Sequence, residues 1–392
     1  MFLVARSLGL LADQVALLAI PVAIYVLTND VTWSGLALII QWLPRIIALP
    51  ILGGLVDRWN LRNQYLLIDI IRSLVSLILV WIDNAHALMV IAGILSLLNG
   101  YAFIILEYSI ATRMDSDKLV QNQSWLQVIE NSTRVAGPAL GGFFLTIGFI
   151  ELAMLSCSVL FVLAAFMTYL SFPKQIKDQS SFVVSKNKLG LLRSFKIVLA
   201  SKPLLRLTGI TMGTNFIEGV MAALLPAIIL SHYGRGEEVV GYLHGVSALL
   251  VIIFMAVISG YVRSWDLTVV ALWAVGLSAG AVLLMAQSQS FVFFGILYVF
   301  FILMRSLFVL YLRTERVKYI PVANLGQVLG VMIAMILSTF PLSGAFIVLI
   351  SNRLESNAIL ICSVFVASII YLISYLLTLY PDKETVKIEK ID

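Results

Sequence analysis

The chain has 392 residues, of which 61% are apolar and 12% charged, with a mean hydropathy of +1.02 and a formal net charge of +5. Soluble globular domains lie nearer half apolar and a quarter charged, so this composition excludes a soluble enzyme, a disordered tail protein and a secreted disulfide scaffold. One crossing of the hydrocarbon core takes about 20 mostly apolar residues, and a dozen crossings with short connections would consume the chain.

Apolar runs separated by polar breaks predict spans over 2–28, 32–56, 63–82, 86–112, 120–147 and 149–172. A second set is predicted over 204–230, 238–262, 266–287, 290–312, 321–350 and 355–380. The first span follows position 1 with no basic leader and no A-x-A site, the pattern of a retained helix rather than a removed signal. Between the sets lies Pro173–Lys202, rich in lysine, in which Leu189, Leu192, Phe195, Ile197, Val198 and Leu199 form an apolar stripe at helical spacing. A basic amphipathic helix on the membrane surface is expected there. The expected fold is all-α. It comprises an N-terminal six-helix bundle over 1–172, a linker over 173–203, a C-terminal six-helix bundle over 204–380 and a tail over 381–392.

With an even number of spans both termini share one side. That side carries 20 of the 26 basic residues and the opposite side only Arg235 and Arg353. Basic residues concentrate in cytoplasmic loops, so both termini are expected in the cytoplasm of a cell whose inner membrane holds the protein. The positive charge thus reads as topology, and no nucleic-acid partner is implied. Cys157 and Cys362 lie in apolar runs, which implies neither a disulfide framework nor a metal cluster. The halves echo each other: Arg6-x-x-Gly9 recurs as Arg206-x-x-Gly209, and Pro138-x-x-Gly141 as Pro341-x-x-Gly344. Repeats of this kind place a substrate site near midplane between the halves.

Two local motifs stand out. Gly53-Gly54-Leu55-Val56-Asp57-Arg58-Trp59-Asn60-Leu61-Arg62 follows the second span. A carboxylate at a helix end beside Arg58 and Arg62 suggests a charge latch, which Arg113 and Glu107 could join. In the fifth span, Gly137-Pro138-Ala139-Leu140-Gly141-Gly142 combines a proline, which removes a helical hydrogen bond, with glycines that admit a close neighbour. The first segment resembles the signature between the second and third helices of the major facilitator superfamily, with Asn60 in place of its second glycine. The second resembles the antiporter signature of that superfamily's efflux branches. With the stretches around Asp13, Arg45 and Arg313, the chain resembles the branch holding macrolide-efflux proteins and enterobactin-type siderophore exporters. Ser96 stands where the superfamily's fourth helix carries its proton-coupling arginine.

An ionisable group at mid-bilayer costs about 2.5–3.5 kcal/mol on insertion scales and persists where it meets a partner or a wet cavity. The spans hold Asp13, Arg45, Asp69, Arg72, Glu107, Glu130, Arg134, Glu218 and Arg305. Asp69 with Arg72 and Glu130 with Arg134 have helical spacing for local pairing. Asp13, Glu218 and Arg305 have no opposite charge within a turn. Asp13 and Glu218 are therefore the leading proton or cation sites, with Glu130 assisting. An interhelical bridge such as Asp13–Arg45 is the structural alternative. Arg45, Arg134 and Arg305 join the candidate site, and the amides of Gln14, Gln41 and Asn215 are expected to line it.

No phosphate loop, H-E-x-x-H or G-x-S-x-G stretch occurs, so neither an enzyme nor a cofactor or metal is expected. The resemblance implies a monomeric secondary transporter, embedded in lipid, that exports a small amphipathic molecule against entering protons. A lysophospholipid flippase of the same fold and a non-transporting sensor or assembly partner are the alternatives.

Overall fold

The computed structural model describes residues 2–28, 31–57, 59–82, 84–113, 119–146, 150–171, 191–235, 238–259, 261, 266–320, 324–351 and 353–379. They form helices α1 (Phe2–Thr28), α2 (Val31–Val56), α3 (Leu61–Ile78), α4 (Ala85–Arg113), α5 (Leu119–Thr146), α6 (Ile150–Ser171) and the short α7 (Leu191–Ala200). There follow α8 (Lys202–Ala227), α9 (Glu238–Ile258), α10 (Leu267–Gln287), α11 (Phe291–Tyr319), α12 (Leu325–Leu337), α13 (Thr339–Ile350) and α14 (Ser356–Leu379). Among the described residues, ten helices are long and apolar enough to cross a membrane. Helices suit that solvent because they satisfy their own backbone groups where no water can.

Helix ends follow local chemistry. Asn60 accepts the Arg62 N–H at the start of α3, and Asp266 accepts those of Thr268 and Val269 at the start of α10, each supplying a partner that the first turn lacks. Two boundaries depart from the sequence pattern. The expected eleventh span divides at Ser338 into α12 and α13, because Pro341 cannot bond the Leu337 carbonyl and its ring crowds that group. The tenth runs on to Tyr319 instead of stopping near 312. Arg313 and Arg316, which resemble loop charges in sequence, are buried on the last turns of α11.

Two sets of helices pack in parallel patterns. Helix α1 lies against α5 and α6, and α8 lies against α13 and α14. Gly9 faces Ala164 of α6, and Gly209 faces Ser374 of α14 so closely that a Cβ would enter the serine side chain. The repeated glycine thus serves different ends, a tight helix crossing at Gly209 and room for the Arg72 guanidinium at Gly9.

Where the core lies is more informative than how much is buried. At the end of the molecule bearing α7, which we call the linker end, one apolar core is shared. It joins Leu49, Val56, Tyr65 and Ile105 to Leu204, Leu312 and the α12 run Leu325–Ile336. Towards the other end the cores separate. One is built from Ala12–Ile24, Leu88, Leu95 and Phe161 of the first set, the other from Phe216–Ile229, Phe294–Phe301 and Ile359–Ala367 of the second. Helix α7 sits on the shared core with Val198 buried and Phe195 and Ile197 partly so, while Leu192 and Leu199 stay exposed.

Substituting Gly209 by leucine should cost about 1–3 kcal/mol through overpacking of the α8–α14 crossing. Thermal unfolding of the detergent-solubilised protein should show a lower transition, with Gly241→Leu, at an uncrowded glycine, as the unaffected control.

Candidate functional site

Three charge networks occupy the interior. The first lies within the first set. Arg72 of α3 donates to both oxygens of Asp13 on α1 (3.1 and 3.2 Å), to Asn99 of α4 (3.2 Å) and to Asp69 (2.9 Å). Arg6 donates to Asp69 (2.8 Å) and to Thr168 of α6. Asp69 is fully buried and accepts from both guanidinium groups, which also rest over aromatic rings, Arg6 on Tyr65 at 4.0 Å and Arg72 on Phe161 at 4.1 Å. Gly9 leaves the gap through which the Arg72 guanidinium passes α1. The partner of Asp13 is therefore Arg72 and not Arg45.

The second network lies within the second set. Arg305 of α11 pairs with Glu218 of α8 and donates to Asn215 one turn earlier (3.3 Å). Two of the three charges without a local partner in sequence thus meet each other across helices. Nearby, the Tyr298 hydroxyl lies 3.2 Å from Nδ1 of His244.

The third network joins the sets at the linker end. Glu107 of α4 takes Arg316 at 2.6 Å and Arg313 at 3.2 Å, and Arg313 reaches on to both oxygens of Glu130 on α5 (3.0 and 3.1 Å). Glu130 thus pairs with Arg313 instead of Arg134 on the next turn, and Glu107 with α11 instead of the Asp57 segment. Beside this cluster, Asp57 accepts the backbone N–H groups of Gly326 (2.8 Å) and Gln327 (3.0 Å), at the start of α12. A carboxylate is favourable there because a helix N-terminus presents unpaired donors and positive potential. Gly53 and Gly326 approach backbone to backbone, as do Leu49 and Gly330. Asp57 of the expected latch thus caps a helix of the other set. Arg62 turns to α6, donating to the Tyr169 carbonyl (3.2 Å). Arg58 and the side chain of Arg113 lie outside the described residues.

Arg45 of α2 stacks on Trp42 with its guanidinium carbon 3.7 Å from the ring centroid. Trp42 in turn lies 6.3 Å from Phe340 of α13, across the gap between the sets. Arg134 is exposed on α5 and lies within electrostatic reach of both Arg45 and Arg305. Gln14 packs against Gly137, and Gly141 faces Val15 and Leu18, so the glycines of the fifth span serve the α1–α5 crossing. Helix α5 continues through Pro138. The side chain of Gln41 and the surroundings of Gly142 lie outside the described residues. Among the described residues no group of acidic, histidine or cysteine side chains is arranged to hold a metal.

Sequence reasoning missed Arg313 and Arg316 as network members, along with Arg6, Asn99 and Thr168. The signal for the first two was present: they continue the face of an apolar helix at a spacing of three residues. Their charge suggested a loop instead.

The fold and these networks are those of a helical membrane protein with many spans and buried interior charge. The family model of the Major Facilitator Superfamily matches residues 2–336, and the chain belongs to that family. No curated protein matches the sequence. Among solved structures, a bacterial homologue of the iron transporter ferroportin in an outward-facing state superposes with a TM-score of 0.77 at 16% identity, covering 95% of this chain and 98% of that one. The human organic anion transporter MFSD10 gives 0.74 at 14% identity, over 95% and 98%. The proton:xylose symporter XylE gives 0.71 at 12%, over 96% and 94%. At such identities the likeness is one of fold, and the cargo of each is its own.

Removing one partner of a buried pair costs about 3–5 kcal/mol, so Glu107→Gln should weaken closure of the linker end. With Cys157 and Cys362 replaced by alanine, a cysteine at buried Ser124 should react faster with a maleimide in the Glu107→Gln background. An unchanged rate would mean that the cluster does not hold the two sets together.

Proposed function

We propose that the protein is a secondary active transporter that exports a small amphipathic molecule by alternating access, driven by entering protons. One observation carries the reading: a single core and an ion-pair cluster span both sets at the linker end, while each set keeps its own core at the other. Two bodies joined at one end and separately packed at the other have the form needed for rocking around a central site. We assign the linker end to the cytoplasm from its basic loops and this arrangement to the outward-open state. The ferroportin homologue, described as outward-facing, supports that assignment. The two six-helix bodies then span 1–172 and 204–380, joined by the α7 linker.

Asp13 and Glu218 are the proposed coupling groups. Each sits on the first helix of its set and is held by a guanidinium from another helix of the same set. Protonating either carboxylate would release its arginine, which changes the charge facing the site and links proton entry to rearrangement.

The expected result in proteoliposomes, with a macrolide, a siderophore and a lysophospholipid as test compounds, is flux of one of them that rises with a pH gradient. Asp13→Asn and Glu218→Gln should each abolish that rise. A full gradient response in both variants would sink the coupling assignment. Lysophospholipid movement indifferent to the gradient would instead identify a flippase.

A further inference from the structure

The interior charges do not balance, and the excess is localised. Asp13, Asp69, Glu107, Glu130 and Glu218 are all held by Arg6, Arg72, Arg305, Arg313 and Arg316. Arg45 and Arg134 are left with no carboxylate within 4 Å among the described residues. Asp13 lies in the field of Arg45, but both its oxygens are committed to Arg72. Glu130, the natural i−4 partner of Arg134, is turned to Arg313.

Arg45 and Arg134 lie within electrostatic reach of each other, and two like charges near one another repel unless a third charge offsets them. Their placement suits a ligand. The Arg45 Nε is buried with no hydrogen-bond partner, so a donor is left for an incoming acceptor. Its stem is fixed by close packing on Gly100 of α4, whose Cβ would lie 2.8 Å from that of Arg45, and its plane by the Trp42 ring. Arg134 is exposed within electrostatic reach of Arg45 and Arg305, and Arg305 is already paired with Glu218. Trp42 and Phe340 supply an apolar wall reaching from one set to the other.

Resting on the transport reading above, we propose that Arg45 and Arg134 bind the anionic group of the cargo while its apolar part lies on Trp42 and Phe340, making the substrate an amphipathic anion. A planar guanidinium favours carboxylate and phosphate oxygens. The polarity is opposite to that of a cation site built on Asp13 and Glu218. A negative group bridging Arg45 and Arg134 removes their repulsion, so the cargo itself completes the charge balance of the interior. The same chemistry is found in a lysophospholipid headgroup and in a soluble acid.

Equilibrium binding to the full-length protein in nanodiscs tests this, with 1-naphthyl phosphate, lysophosphatidic acid and naphthylmethyl-trimethylammonium as radiolabelled probes. At least one of the anions should bind more tightly than the cation. Arg45→Gln and Arg134→Gln should each weaken that binding about tenfold, as expected for losing one charge-assisted hydrogen bond. Arg45→Lys should retain part of the affinity, and Arg193→Gln on α7 should retain all of it. Because Arg134 is exposed, its variant tests the site even where an Arg45 variant fails to fold. Binding of the lysolipid alone assigns a membrane source, and binding of the naphthyl phosphate a soluble one; both support the site. Preference for the cation, absence of binding by either anion, or full affinity in Arg134→Gln would overturn it. Anion binding at Arg45 and Arg134 without flux in proteoliposomes would refute transport and leave the site standing, so the two readings fail separately.

Discussion

A charge withdrawn from water must meet an opposite charge, and most of this structure depends on that requirement. Two unit charges 4 Å apart are worth about 1 kcal/mol in bulk water and about 4 kcal/mol at an effective dielectric near 20. Stripping them of solvent costs several kcal/mol per ion unless partners and hydrogen bonds are supplied. Each interior carboxylate therefore fixes which helices lie together. Asp69, held by Arg6 and Arg72, ties α3 to α1, and Arg6 reaches on to α6 through Thr168. Glu218 and Arg305 tie α8 to α11.

The networks differ in what they join. The Asp13 and Glu218 pairs are each internal to one set. The Glu107, Glu130, Arg313 and Arg316 cluster crosses between sets, as does the Asp57 cap on α12. Charged and backbone groups keep favourable partners in water when separated, whereas the apolar core shared at the same end would lose its burial. The glycines at positions 53, 326 and 330 let α2 and α12 come close enough for the cap to form.

Much of the architecture was legible in sequence because the bilayer sets so strict a rule of length and polarity. The helix ranges fall within a few residues of those expected, apart from the break at Ser338 and the extension of α11 to Tyr319. Both exceptions have local causes, in Pro341 and in two arginines whose burial no periodicity discloses. The charged residues themselves were equally visible, since Asp13, Arg45, Glu130, Arg134, Glu218 and Arg305 all interrupt apolar runs. Their partners were not. Helical spacing suits both Asp69 with Arg72 and Glu130 with Arg134, yet the structure forms the first pair and replaces the second with a contact 183 residues away.

The amino-acid sequence by itself determined that the chain is a helical membrane protein, where its spans lie, which face is basic and which residues carry interior charge. These properties are additive along the chain: each residue pays its own transfer cost to the bilayer whatever lies elsewhere. Only the tertiary structure decided which charges neutralise one another, that Asp57 caps the start of α12, and that Arg45 and Arg134 have no carboxylate within 4 Å among the described residues. Pairing is a matter of distance between helices, and a linear sequence carries no direct record of which distant helices touch. Arg6, Arg72, Arg305, Arg313 and Arg316 balance the interior carboxylates and leave the net +5 to the rest of the chain, Arg45 and Arg134 included.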